Sequence, residues 1–330
     1  MTQDATFYAV SDSRYFPGLV ALVNSIRLTG HGHRIVVGDC GLRPEQRELL
    51  APHCTLLDLP KDVATNPVVL KPFPYLAEPH GVAVLIDADM IVTGSLDPII
   101  AMAAKGKLCA FPDPESERWF AEWQELFELP ASPRRQIYVC AGFVTFSTLH
   151  FPDLLERWWR CSVRVPAHRT LGRGAPNSDP LAQADQDALN ALLMSEIRHE
   201  ALEVLPMRLM PTWSGLARTR VVDAQELACT LDDTPTLVLH AAGTGKPWDR
   251  RRGWKRLKRD AYVVLARRLL LAPDVPIRLR PDQLPLWLQA GVGGKLALRT
   301  IDMLNRATHP ARMHVIPRLR QGYRQLRASR

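Results

Sequence analysis

Val82-Ala83-Val84-Leu85-Ile86-Asp87-Ala88-Asp89-Met90-Ile91-Val92 is an apolar run broken by two carboxylates. Its first five residues show no polar alternation, the pattern of a strand covered on both faces. Such a strand belongs inside a mostly parallel sheet flanked by helices. Residues two apart in an extended chain point the same way. Asp87 and Asp89 would therefore crowd two negative charges at the end of a buried strand, which is costly unless a cation or hydrogen-bond donors compensate. A divalent ion that favours oxygen ligands, Mn2+ or Mg2+, is the economical answer. The bland alternative is that both Asp residues only end the strand and cap the next turn.

Working outward, Thr6–Val10, Arg34–Val37 and Cys54–Asp58 read as further strands, with helices entered at Pro17 and Pro44 between them. Gly30-His31-Gly32 stops the first helix. Leu108–Phe111, Tyr138–Phe146 and Leu237–His240 read as later strands, and Leu154–Trp159 and Leu181–Ser195 as helices. Strands alternating with helices give an α/β class built on a parallel sheet.

The chain has 330 residues, 46% of them hydrophobic and 23% charged, which excludes wholesale disorder. No stretch reaches about 18 uninterrupted apolar residues, so no membrane-spanning helix is expected. The start, Met1–Thr6, has neither a basic region nor an apolar core, unlike a secretory signal. Six cysteines at 40, 54, 109, 140, 161 and 229 form no C-x-x-C pair and read as reduced thiols of a cytoplasmic protein. The net charge of +8 is unevenly spread. Residues 246–330 carry 21 Lys and Arg against 5 Asp, a net +16, and residues 1–245 carry 21 basic against 29 acidic, a net −8.

Three other segments carry chemistry. His240-Ala241-Ala242-Gly243-Thr244-Gly245-Lys246-Pro247-Trp248 ends a strand with a His and continues into a Gly-containing loop. Glycines let backbone N–H groups approach phosphate oxygens, Lys246 adds a point charge, and His can join carboxylates on Mn2+. A solvated loop with a core-facing His is the alternative. Ala184-Asp185-Gln186-Asp187-Ala188-Leu189-Asn190 opens a helix; capping accounts for one Asp but does not need Asp-Gln-Asp. Ser11-Asp12-Ser13-Arg14-Tyr15 is a polar loop after the first strand.

These four anchors, in this order, resemble the family 8 glycosyltransferases, over residues 6–250. The resemblance implies a GT-A fold at residues 1–250, a metal-dependent site and a UDP-sugar donor, with a hexose passed to a glycan or lipid-linked acceptor and anomeric configuration retained. It implies Asp87, Asp89 and His240 as metal ligands. Tyr15 would stack on the uracil, with Ala9 and Asp12 beside base and ribose. Lys71, sixteen residues before Asp87, falls where the family's donor-binding Lys or Arg sits. Gly243 and Lys246 would clamp the diphosphate, and Ala88, Ala141 and Gly142 would line the donor. Asp185 would bond the donor sugar, and Gln186 would lie near the anomeric carbon. One departure stands out: Cys140-Ala141-Gly142 replaces the family's Asn-Ala-Gly, which leaves the hexose open. Two other classes share some of these features. A nucleotidyltransferase would want a Gly-rich, basic N-terminal phosphate loop, which Ala9–Tyr15 is not. A degenerate sugar-nucleotide binder would not need Asp87, Asp89, His240 and Lys246 together.

The basic end, residues 251–330, is expected to be largely helical. Trp254, Leu257, Ala261, Val264 and Leu265 share a helical face among Lys and Arg, and Ile316, Leu319, Tyr323 and Leu326 repeat the pattern. Such faces suit an anionic membrane surface at the inner side of a cytoplasmic membrane, or packing on the catalytic domain with the charges solvated. No nucleic-acid-reading module accompanies the charge, so nucleic acid is not an expected partner.

Overall fold

The computed structural model describes residues 4–59, 69–77, 81–166, 178–212, 214–243, 245–249, 261–289, 291–294, 296–297, 300 and 303. The first half runs β1 (Ala5–Ser11), α1 (Phe16–Leu28), β2 (Arg34–Asp39), α2 (Pro44–Leu50), β3 (Thr55–Asp58), α3 (Phe73–Ala77), β4 (Val82–Ile86), β5 (Met90–Val92), α4 (Asp97–Ala104), β6 (Leu108–Pro112), α5 (Trp123–Leu126) and β7 (Val139–Ser147). The second runs α6 (Leu154–Ser162), α7 (Asp185–Glu196), β8 (Leu202–Val204), α8 (Ser214–Arg218), β9 (Arg220–Asp223), β10 (Ala228–Leu231), β11 (Thr234–Pro235), β12 (Val238–His240) and α9 (Ala261–Leu271).

Seven strands form the main sheet in the order β3-β2-β1-β4-β7-β6-β8. β3, β2, β1 and β4 are mutually parallel. β7 is antiparallel to both of its neighbours, and β6 pairs parallel with β8. The strand order reverses between β1 and β4, the switch point at which open α/β sheets leave a crevice beyond the strands' carboxyl ends. The loop Asp12–Tyr15 and the Asp87–Asp89 turn follow β1 and β4, so both emerge at this crevice.

Burial explains the unbroken apolar run of β4. Val82, Val84 and Ile86 pack into one core with α1 and α9, while Ala83 and Leu85 pack into the other, with α6 and α7. β1 divides in the same way, Phe7 to the first side and Tyr8 to the second. α1 begins with Pro17 in its first turn and ends before Gly30, whose φ of +87° suits a residue without Cβ just past a helix.

A three-stranded sheet, β11-β10-β9, and a two-stranded one, β12-β5, lie outside the main sheet. Asp223, Asp232 and Asp233 are exposed around the former, and β9 carries no apolar alternation that would announce it. α7 starts at Asp185, four residues later than expected. Leu181–Ala184 form a turn after Pro180, and Ala184 takes a φ of +49°, outside the helical region.

Of the two uses open to the basic end, packing holds for α9. Ala261, Leu265, Leu269 and Leu270 are buried in the α1 core. Asn24 on α1 donates to the carbonyls of Leu269 and Ile277, each at 2.7 Å, and accepts from Ile277 N at 2.9 Å. Trp254, Leu257 and the repeat from Ile316 to Leu326 lie outside the described residues. No helix among the described residues is long and apolar enough to cross a membrane.

Candidate active site

Pairing of β12 with β5 decides where His240 goes. The two strands run antiparallel with His240 opposite Met90, and Ala241 N donates to Asp89 O at 3.1 Å. The imidazole thereby reaches the acidic turn: Nε2 lies 3.4 Å from Asp89 Oδ1 and 3.7 Å from Asp87 Oδ2. On the other side, β7 brings Gly142 alongside, its carbonyl accepting from Asp87 N at 2.8 Å. A Cβ on Gly142 would stand 2.8 Å from Asp87 Oδ2, 3.0 Å from His240 Cε1 and 2.7 Å from Met90 Cε. Only hydrogen leaves room there.

Two lysines enter the cluster. Lys71 Nζ lies 2.9 Å from Asp87 Oδ1 and 3.0 Å from Asp185 Oδ2, and donates to Ala141 O at 3.1 Å. Lys246 Nζ pairs with Asp89 and donates to Ala241 O at 2.8 Å. Its ammonium stands 5.4 Å from the centre of the Tyr15 ring, within cation–π range. Trp248 anchors this loop by donating from Nε1 to Arg14 O at 2.8 Å, and it covers Gly18 so closely that a Cβ there would come within 2.3 Å of the indole.

The charges respond to burial and to one another. Burial alone would lower the Lys71 ammonium, but Asp185 and Asp87 outweigh it and hold the group charged. Burial pushes the Asp185 carboxyl up, to about 6, against the pull of Lys71. Burial would also raise Asp89; Lys246 and His240 override it and hold that carboxyl below its usual range. For His240 burial acts downward, and Asp89 more than reverses it, to about 10.

Gln186, in the first turn of α7, is held at both ends: Oε1 accepts from Ala141 N and Nε2 donates to Asp113 Oδ2, each at 3.0 Å. One turn on, Asn190 clips α7 to β7, accepting from Val139 N at 2.7 Å and donating to Val139 O at 2.8 Å. Asp187 faces away from the cluster. It is fully buried and accepts from Arg118 Nε at 2.7 Å and Nη2 at 2.9 Å, from Tyr138 OH at 2.8 Å and from Gln183 N at 2.7 Å. The second Asp of Asp-Gln-Asp is thus an internal anchor. The positive φ of Ala184, immediately before Asp185, is backbone strain of the kind that collects at functional sites.

The structure gathers Asp87, Asp89, His240, Lys71, Lys246, Asp185, Gly142, Ala141 and Tyr15 into one crevice, with Gln186 on Ala141. Asp12 stands beside it as a turn-former, its Oδ1 accepting from Arg14 N and Tyr15 N, each at 2.9 Å. Ala9 and Ala88 are buried in the α1 core, and Gly243 is exposed at a φ of +81°. Asp113 is a contributor that no motif signalled, and Met90 stands within the Val82–Val92 run without a role. Asp113 reaches Gln186 across 73 positions, beyond any local pattern; Trp248 was visible within the nonapeptide but without a role.

Solved structures share this architecture. An active-site variant of LgtC is 18% identical, covers 82% of this chain and 98% of its own, and superposes with a TM-score of 0.51. The WbbM bifunctional glycosyltransferase in its apo form is 15% identical, covers 83% of this chain and 50% of its own, also at 0.51. The fold is GT-A. No family model and no curated protein matches the chain. In this sheet the acidic turn after β4 lies at the switch point, where open α/β sheets leave a ligand crevice.

The donors suit a divalent cation. One ligand atom from each of Asp87, Asp89 and His240 falls within 4.8 Å of the others. Two carboxylates and an imidazole match the preferences of Mn2+ or Mg2+, and the missing Cβ of Gly142 opens the space beside them.

Proposed function

We propose that this protein is a metal-dependent glycosyltransferase that moves a hexose from a UDP-sugar to a hydroxyl of a glycan or lipid-linked saccharide, with retention. The observation that carries the reading is the convergence of Asp87, Asp89 and His240 with Lys71, Lys246 and Asp185 at the switch point of a GT-A sheet.

Asp87, Asp89 and His240 would hold Mn2+ or Mg2+, which supplies Lewis-acid stabilisation of charge developing on the leaving diphosphate. Tyr15 offers a half-buried ring for the base, with Ala9 and Asp12 beside it and Gly243 and Ala88 along the donor. Lys246 adds a positive charge where the leaving group gains negative charge. Lys71 and Asp185 form a rigid, hydrogen-bonding wall for the sugar hydroxyls. Gln186 is an amide tethered at both ends, a poor nucleophile; this favours attack from the face the diphosphate leaves. The bond from the anomeric carbon to phosphate oxygen breaks, the acceptor oxygen bonds to that carbon, and its proton passes to the departing phosphate oxygen.

Exposed Leu286, Val292, Leu296 and Met303 precede a stretch, residues 304–330, with seven Arg and no acidic residue. That combination supports contact with the anionic inner face of a cytoplasmic membrane, where lipid-linked acceptors are presented.

UDP release with a donor panel, with and without Mn2+ and acceptor, tests the function. One UDP-sugar should be consumed only in the presence of metal. Metal-independent turnover, or none with any nucleotide sugar, would sink the reading.

A further inference from the structure

Lys246-Pro247-Trp248-Asp249 is a tight turn, closed by Asp249 N donating to Lys246 O at 2.9 Å, with proline fixing φ at its second position. Two indoles hold it. Trp248 Nε1 donates to Arg14 O at 2.8 Å, in the loop between β1 and α1. Trp287 Nε1 donates to Pro247 O at 2.7 Å, from 40 positions further along the chain. The turn that carries Trp287 is itself fastened. Leu284 and Leu288 are buried in the α1 core, Gln289 Nε2 donates to Leu284 O, and Arg267 Nη2 donates to Gln289 O, both at 2.9 Å. The chain beyond α9 thus reaches back to the loop that presents Lys246.

Gly243 and Gly245, ahead of that turn, take φ of +81° and +82°, and neither has a side chain to hold the backbone there. The two indoles lie on the downstream side and fix the backbone from which Lys246 projects toward Asp89. An indole N–H that packs against a protein generally finds an acceptor. Packing alone does not require that acceptor to be the carbonyl next to the lysine. We propose that Trp287 is a positioning residue for Lys246: by gripping Pro247 O it holds the ammonium in the crevice before a diphosphate arrives, so that less freedom is lost when the donor binds. The inference rests on the transferase reading above and goes beyond it by giving the segment after α9 a part in the donor site.

The test compares full-length wild type with Trp287→Phe, which keeps an aromatic ring and loses the N–H. Acetic anhydride labelling of Lys246, read by peptide mass spectrometry without any ligand, is normalised to the buried Lys71. The Lys246-to-Lys71 ratio should rise about 3–10-fold, the usual worth of one neutral hydrogen bond. A general loosening would raise both lysines together. UDP affinity by isothermal titration with Mn2+ present should fall by a similar factor. Melting temperatures show whether the variant folds, and Trp287→Leu carries the comparison if Phe does not. An unchanged labelling ratio, or unchanged UDP affinity, overturns the assignment of Trp287 and leaves the transferase reading standing. Absence of UDP binding by wild type overturns that reading and, with it, the use proposed for Trp287, whatever the labelling ratio.

Discussion

Lys71 Nζ lies 3.0 Å from Asp185 Oδ2, and both side chains are almost wholly withdrawn from water. Asp87 shares the same ammonium at 2.9 Å. One buried cation thus separates two carboxylates that would otherwise repel.

Removing that cation should be expensive. Breaking a buried pair leaves an uncompensated charge and costs about 3–5 kcal/mol. Lys71→Met is expected to lose about that much in a urea melt, together with donor binding. A loss under about 1 kcal/mol would show that water reaches Asp185 in the native state.

Gly142→Ala places a methyl within 2.8 Å of Asp87 Oδ2 and 3.0 Å of His240 Cε1. Overpacking of this kind costs about 1–3 kcal/mol, and here the strain falls on the ligands. We expect a folded protein with a slightly lower melting temperature and no thermal shift on adding Mn2+. A wild-type shift in the variant would contradict the placement of the ion beside Gly142.

Lys246 and His240 are the cationic groups facing Asp89. In Lys246→Met, Asp89 keeps the imidazole alone among the described residues, so a divalent ion has more charge to compensate. The melting temperature should rise further on adding Mn2+ than it does in wild type, while sugar transfer falls. Differential scanning fluorimetry across a Mn2+ series checks this; equal or smaller gains would argue that Lys246 does not compete for the carboxylate.

Far from the crevice, His31 supplies a pH dependence. Its Nε2 accepts from Leu96 N at 3.1 Å, Nδ1 faces Asp97 Oδ1 at 3.5 Å, and the His33 ring stacks 5.9 Å away. Burial lowers its pKa, with Asp97 only partly opposing. The unfolded chain then binds more protons than the native one just below about pH 6.5, the ordinary value for histidine. The contribution to stability is complete above that pH and is lost as pH falls through the native pKa. His31→Gln, whose carbonyl can accept from Leu96 N without titrating, should show a shallower fall in melting temperature between about pH 7.5 and 5. Parallel curves would refute the assignment.

The parts legible in the sequence were those with local causes. β4 announced itself because both its faces are covered, so no polar residue interrupts Val82–Ile86. The crevice was legible because its chemistry sits in short stretches, at Asp87–Asp89, Asp185–Gln186 and His240–Lys246. The separate job of Asp187 was not, since its partner Arg118 lies 69 positions away and nothing near either residue marks the pair. β9–β11 escaped because they are short and polar-edged, and the late start of α7 because Ala184 adopts a backbone conformation that alanine seldom chooses.

The antiparallel register that sets His240 against Met90 has a consequence for how this chain can vary. Everything between Val92 and Val238 is an excursion that departs from one rung of a ladder and returns to that same rung. Its surface loops can lengthen or shorten without shifting the register that places the imidazole, so long as β7 still brings Gly142 alongside. A single deletion inside Val238–His240 is another matter: with a side-chain period of two, it would turn the ring to the reverse face.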